Sequence, residues 1–92
     1  MLEKKNYKNG QQTYEIKGNT LTYFLKTGLI KAQGPYINEM MEGKWIFNRE
    51  DGSLWTIGHF LHHQKHGEWT RYHQDGSIEK QQTFHLGKEI KK

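Results

Sequence analysis

His59, His62, His63 and His66 stand at relative positions 0, 3, 4 and 7. On a helix that spacing would put four imidazoles on one face, a donor set suited to a transition metal. The chain has no cysteine. A closed metal site would therefore need carboxylates beside the imidazoles, and thiolate and disulfide chemistry are excluded. The only two serines, Ser53 and Ser77, each follow an Asp-Gly pair. That is a position for turn-side hydrogen bonding, not for a nucleophile. No Ser/His/Asp set and no carboxylate pair is brought together by spacing, and the glycines are spread along the chain, not gathered into a phosphate loop. No catalytic residue and no cofactor is expected. The remaining candidates are apolar: Trp55, Ile57 and Leu61 are either the core of a central hairpin or, where exposed, the contact for a partner or a second copy.

The elements that must position these residues are built from rings and glycine. The 92 residues contain three Trp, five Tyr, four Phe and ten Gly, but no Val and a single Ala and Pro. Hydrophobic residues make up 33% of the chain, so the aromatics must supply much of the burial, at roughly 150–250 Å² per ring. Such a composition argues against a helical bundle. No apolar run approaches the roughly 18 residues that would suggest a membrane span, and Met-Leu-Glu-Lys-Lys has no apolar stretch behind it. The expected location is the cytoplasm. The net charge of +4 divides into +2 over residues 1–8 and +2 over residues 88–92, around a neutral body. Basic tails of this kind are commonly solubilising; a membrane-surface or nucleic-acid contact would have to run through them.

The sequence repeats every 24 residues. Gly43-Lys44-Trp45 returns as Gly67-Glu68-Trp69, and Asp51-Gly52-Ser53-Leu54 as Asp75-Gly76-Ser77-Ile78. Gly28, Ile30, Gly34 and Tyr36 stand 24 residues before Gly52, Leu54, Gly58 and Phe60, and Leu21 stands in the place of Trp45 and Trp69. Three copies result, about 19–42, 43–66 and 67–90, behind an irregular unit, 1–18. Tyr7-Lys8-Asn9-Gly10 reads as the exit of a unit, like Phe84-His85-Leu86-Gly87, with about five residues inserted after it. Lys17-Gly18-Asn19-Thr20 reads as a tight hairpin turn.

Each copy is two strands around a turn, Asp-Gly in the later copies and Thr27-Gly28 in the first. In the second strand, alternation groups Ile30, Ala32, Gly34 and Tyr36, then Leu54, Thr56, Gly58 and Phe60, then Ile78, Lys80, Gln82 and Phe84. The aliphatic and the aromatic recur and are expected to form the core stripe. Trp55, Ile57, His59 and Leu61 fall on the other face, leaving the middle hairpin apolar on both sides. Trp69 and Tyr72 are one residue further apart than Trp45 and Phe47, which suits a bulge in the third copy. The expected fold is all-β: an antiparallel meander of stacked hairpins, with about six to eight strands in a single domain over 1–92.

The segment from Gly67 to Gly87 resembles the bacterial variant of the MORN repeat. That pattern runs glycine, any residue, tryptophan, two more, tyrosine, a turn with asparagine- or aspartate-glycine, an aliphatic residue, then an aromatic before a second glycine. Gly43 to Phe60 departs from it at Asn48, where the third copy has Tyr72; the first copy follows it from Gly28 onward. The resemblance spans about 19–90 and implies a repetitive hairpin sheet whose Gly, Trp, Tyr and Phe are structural. It also implies an interaction or scaffold module: bacterial proteins of this variant are often labelled antitoxin-like, and some eukaryotic relatives are linked to membrane lipids. The expected function is non-enzymatic binding of a protein partner or a second copy, in an antitoxin-like role. The alternatives are a membrane or nucleic-acid contact through the tails and a metal-binding domain using His59, His62, His63 and His66.

Overall fold

A computed structural model describes residues 6–91. Ten strands follow one another: β1 (Tyr14–Lys17), β2 (Thr20–Phe24), β3 (Ile30–Ile37), β4 (Met40–Met41), β5 (Gly43–Asn48), β6 (Leu54–Leu61), β7 (Gln64–Lys65), β8 (Gly67–Tyr72), β9 (Ile78–His85) and β10 (Lys88–Ile90). Eight lie side by side in the order β1-β2-β3-β5-β6-β8-β9-β10, and the two-residue β4 and β7 pair with β3 and β6. The pairing is antiparallel throughout. The result is one open sheet in a slab of 46 × 34 × 19 Å.

Two kinds of turn build it. At the first, the N–H of Arg49 donates to the carbonyl of Ser53 at 2.8 Å and that of Gly52 donates back to Arg49 at 2.9 Å. The same pair of bonds recurs at His73–Ser77, Leu25–Leu29 and Tyr7–Gln11. In each the glycine holds φ between 91° and 94°, the left-handed conformation that a three-residue hairpin loop requires of its last residue. Both Asp-Gly pairs therefore sit at chain reversals. So does Tyr7–Gln11, which corrects its reading as the exit of a unit. The first unit is shorter than the rest, since it has no counterpart of β4 or β7 before β2.

The second kind of turn has two residues with positive φ. Asn38–Glu39 (53° and 63°), His62–His63 (50° and 71°) and Leu86–Gly87 (47° and 90°) occupy equivalent places. They are primed hairpin turns, whose twist matches that of the strands they join. Lys17 pairs with Thr20 around Gly18 and Asn19, the tight turn expected there.

One face of the sheet carries the rings. Leu21 and Trp45 are 0% exposed and Trp69 is 8% exposed. Across the ladder Leu21 faces Gly34, Trp45 faces Gly58, and Trp69 faces Gln82. Each indole also leans over the glycine of the preceding unit. A Cβ on Gly34 would lie 2.4 Å from the Trp45 ring, and one on Gly58 would lie 2.2 Å from Trp69. Glycine is thus needed at 34 and 58 for space. Trp45 Nε1 donates to the Pro35 carbonyl and Trp69 Nε1 to that of His59, both at 2.9 Å, so neither indole N–H is buried unsatisfied. Phe60 stands edge-on between them, at 6.1 Å from Trp45 and 5.1 Å from Trp69. Burying one such ring contributes about 4–6 kcal/mol before ordering costs.

The aliphatic half of the expected core stripe is not core: Ile30, Leu54 and Ile78 are 36%, 38% and 55% exposed. A bulge in every copy explains it. Phe47 faces Thr56, but Asn48 faces Leu54, which leaves Trp55 as the extra residue. Lys31 and Glu79 are skipped in the same way. One added residue moves everything on its turn side to the opposite face. The bulge expected before the turn of the third copy is not there: β8 is paired without a skipped residue, and the extra residue lies after the turn in all three copies.

Candidate functional site

Trp55 is 39% exposed. Its position follows from the bulge, which puts it beside Thr56 on the side of Phe47. The only two arginines of the chain lie against its ring, Arg49 with Cζ 5.8 Å from the centroid and Arg71 at 5.4 Å. Arg71 comes from β8, where it faces Thr56. Arg49 comes from the β5–β6 turn and is tied to the next unit, its Nη2 donating to the Tyr72 carbonyl at 2.5 Å. Its Nε is buried with no acceptor, a cost of about 1–3 kcal/mol for an ordinary polar group. Phe47, Trp55, Lys65, Trp69 and Arg71 border a hollow of about 170 Å³. Lys65 Nζ sits 4.7 Å from the Trp69 centroid and 5.0 Å from that of Phe84.

The charged residues bordering the hollow, Lys65 and Arg71, are of one sign, while Glu50 stands with Arg49 and Trp55 in the adjoining depression. Among the described residues, the ion pairs are Lys17–Glu15, His62–Glu42 and His73–Glu79, and none involves an arginine. Asp51 feels the Arg49 charge, and its carboxylate is already hydrogen-bonded. It accepts from the hydroxyl and N–H of Ser53 and from Gln74. Those donors, Ser53 first, hold its carboxyl below the ordinary value, with the Arg49 charge a smaller cause. Asp75 is lowered in the same way by Ser77.

Ile57 and Leu61 do not join Trp55. Beyond the bulge they continue the alternation on the opposite face, where Ile57 pairs with Ile46, and both are half-buried. The grouping of Trp55, Ile57 and Leu61 thus divides into an exposed ring on one side and two partly covered aliphatics on the other. Arg49, Arg71 and Lys65 were not among the sequence candidates. The repeat held a signal for one of them: Arg71 stands in the column of Tyr23 and Phe47, a charge where two rings precede it.

The histidines are spread along β6, a turn and the approach to β8. His59 is in β6 with Nδ1 3.0 Å from the Glu68 carbonyl. The N–H of His62 donates to Glu42 at 3.0 Å. His63 Nδ1 accepts from the Met41 N–H, and His66 Nδ1 accepts from the Leu86 N–H, each at 3.2 Å. The helical spacing therefore has no helix to act on: the rings of His59, His63 and His66 bond backbone groups of other units, and that of His62 lies 4.0 Å from the Glu42 carboxylate. Among the described residues no three His, Asp or Glu side chains converge where a metal could be held. Of the basic tails, Lys4, Lys5 and Lys92 lie outside the described residues, and Lys8, Lys88 and Lys91 are exposed.

No curated protein and no solved structure matches the chain. Residues 65–85 match the family model described as the MORN repeat variant. That span takes in β8, its turn and β9, so the third hairpin is similar to a MORN repeat, and the hairpins before it share its turns and its ring column.

Proposed function

We propose that the chain is a non-enzymatic repeat module that acts in the cytoplasm by binding another protein through its ring-bearing face. The observation that carries this is Trp55, a large ring left 39% exposed between two arginines that have no acidic partner among the described residues. Aromatic and arginine side chains are enriched at the centres of protein interfaces. The match of residues 65–85 to the MORN repeat variant supports the reading, because such repeats are generally protein or membrane interaction modules. The test is co-purification with the products of neighbouring genes. A stable partner retained by the native chain and lost on Trp55→Ala, with the variant still folded by circular dichroism, is the expected result. Equal retention by Trp55→Ala, or no stable partner, counts against it.

In its finer form the partner is a toxin that this module neutralises. Co-expression should then restore growth to cells making that toxin, and Trp55→Ala should abolish the rescue. Growth that stays arrested with the native module excludes the antitoxin role and leaves the binding role standing.

A further inference from the structure

The third copy carries a charge arrangement that folding alone does not favour. Arg71 and Lys80 face each other directly across β8 and β9. Like charges in that position destabilise a sheet. The equivalent pairs in the earlier copies are Tyr23 with Ala32 and Phe47 with Thr56, all uncharged. Two cations have therefore replaced a neutral pair, and one of them, Arg71, borders the hollow with Trp55, Trp69 and a third cation, Lys65. The body of the chain is neutral overall, so this is a local concentration and not a consequence of net charge.

Resting on the protein-binding reading above, we propose that the hollow between Trp55 and Trp69 receives an acidic peptide segment of the partner. Its carboxylates would pair with Arg71, which borders the hollow, and with Arg49, which lies against the Trp55 ring beside it, and an apolar side chain would lie against Phe47 and Trp69. Three features favour this occupant. Guanidinium forks match carboxylates two bonds at a time. A hollow of about 170 Å³ suits one side chain and lies below the usual range for a small-molecule site. Two guanidiniums already lie against the Trp55 ring, which takes up the surface a nucleic-acid base would stack on. An acidic segment would also relieve the Arg71–Lys80 repulsion, so binding would be strengthened by an opposition the free fold bears.

The experiment titrates the full chain with four probes while following tryptophan fluorescence and heat. The probes are a capped peptide of Asp and Glu around one Phe, the same peptide with Lys for its acids, phosphatidylserine vesicles, and single-stranded poly-dT. The acidic peptide should bind and the lysine peptide should not. Arg49→Gln and Arg71→Gln should each weaken binding about tenfold, the loss of one charge-assisted contact. Arg71→Gln also removes the like-charge pair, so its Tm should hold or rise, which separates lost binding from lost folding. No binding of the acidic peptide, binding indifferent to both arginines, or tighter arginine-dependent binding of vesicles or DNA overturns the proposal. Capture of a natural partner distinguishes the two levels. If Trp55→Ala loses the partner but both arginine variants keep it, the acidic segment is wrong and the binding face stands. If all three variants keep it, both fall.

Discussion

Gly58 is occupied without having a side chain: the Trp69 indole fills the space where its Cβ would be. Gly58→Ala should therefore destabilise the fold by about 1–3 kcal/mol through overpacking, measured by urea denaturation. In a Trp69→Ala background the same change should cost much less, and the double-mutant cycle should return that difference as a coupling. Trp45, wholly buried between Gly34 and Gly58, should cost about 3–5 kcal/mol on truncation to Ala. The sequence displayed the Trp column and the glycines, yet not their relation. Positions 34, 58 and 82 read Gly, Gly, Gln and looked variable, because side-chain alternation says nothing about a ring arriving from the next unit. Arg71 was hidden for a similar reason. Its meaning depends on a cross-strand neighbour, Lys80, nine residues away.

Hairpins were the most legible elements. Asp-Gly with a 24-residue period places the turns because the turn's need for positive φ is local, and Gly52 and Gly76 meet it. The bulge was illegible because period-two reading assumes an unbroken strand, and one extra residue at Lys31, Trp55 or Glu79 inverts half of it. The His59–His66 spacing misled for the opposite reason, since a helical period carries no weight where the chain turns at His62–His63. Glu39 holds φ of 63° without being glycine, so Glu39→Gly should raise stability by about 0.5–1 kcal/mol in thermal or urea melts. The aspartates of the Asp-Gly turns predict an acid dependence. Their folded pKa values lie below the ordinary 3.8, so the unfolded chain binds more protons in acid. Their contribution is complete above about pH 4 and is lost as pH falls through the lower folded values. Replacing both Asp51 and Asp75 by Asn should flatten the fall in stability as the pH drops below the ordinary carboxylate value, by a small amount because both are exposed.

The sheet as a whole is a row of units, each touching its neighbours, with burial concentrated toward one end. Leu21, Ala32 and Trp45 form the core cluster, while most of β9 and all of β10 are exposed. Amide exchange should therefore be slowest in β2, β3 and β5 and fastest from Leu86 to Lys91, and uniform protection across the row would contradict this packing. The glycine seats have a practical corollary for protein engineering. A second copy of residues 43–66 spliced in after His66 would bring one more core indole, that of Trp45, and one vacant seat, Gly58, so each core indole would still find a glycine upstream. Such a lengthened chain is expected to fold and to melt at a higher temperature. The same graft carrying Gly58→Ala in its added copy should forfeit that gain, because it leaves the following Trp69 nowhere to lie.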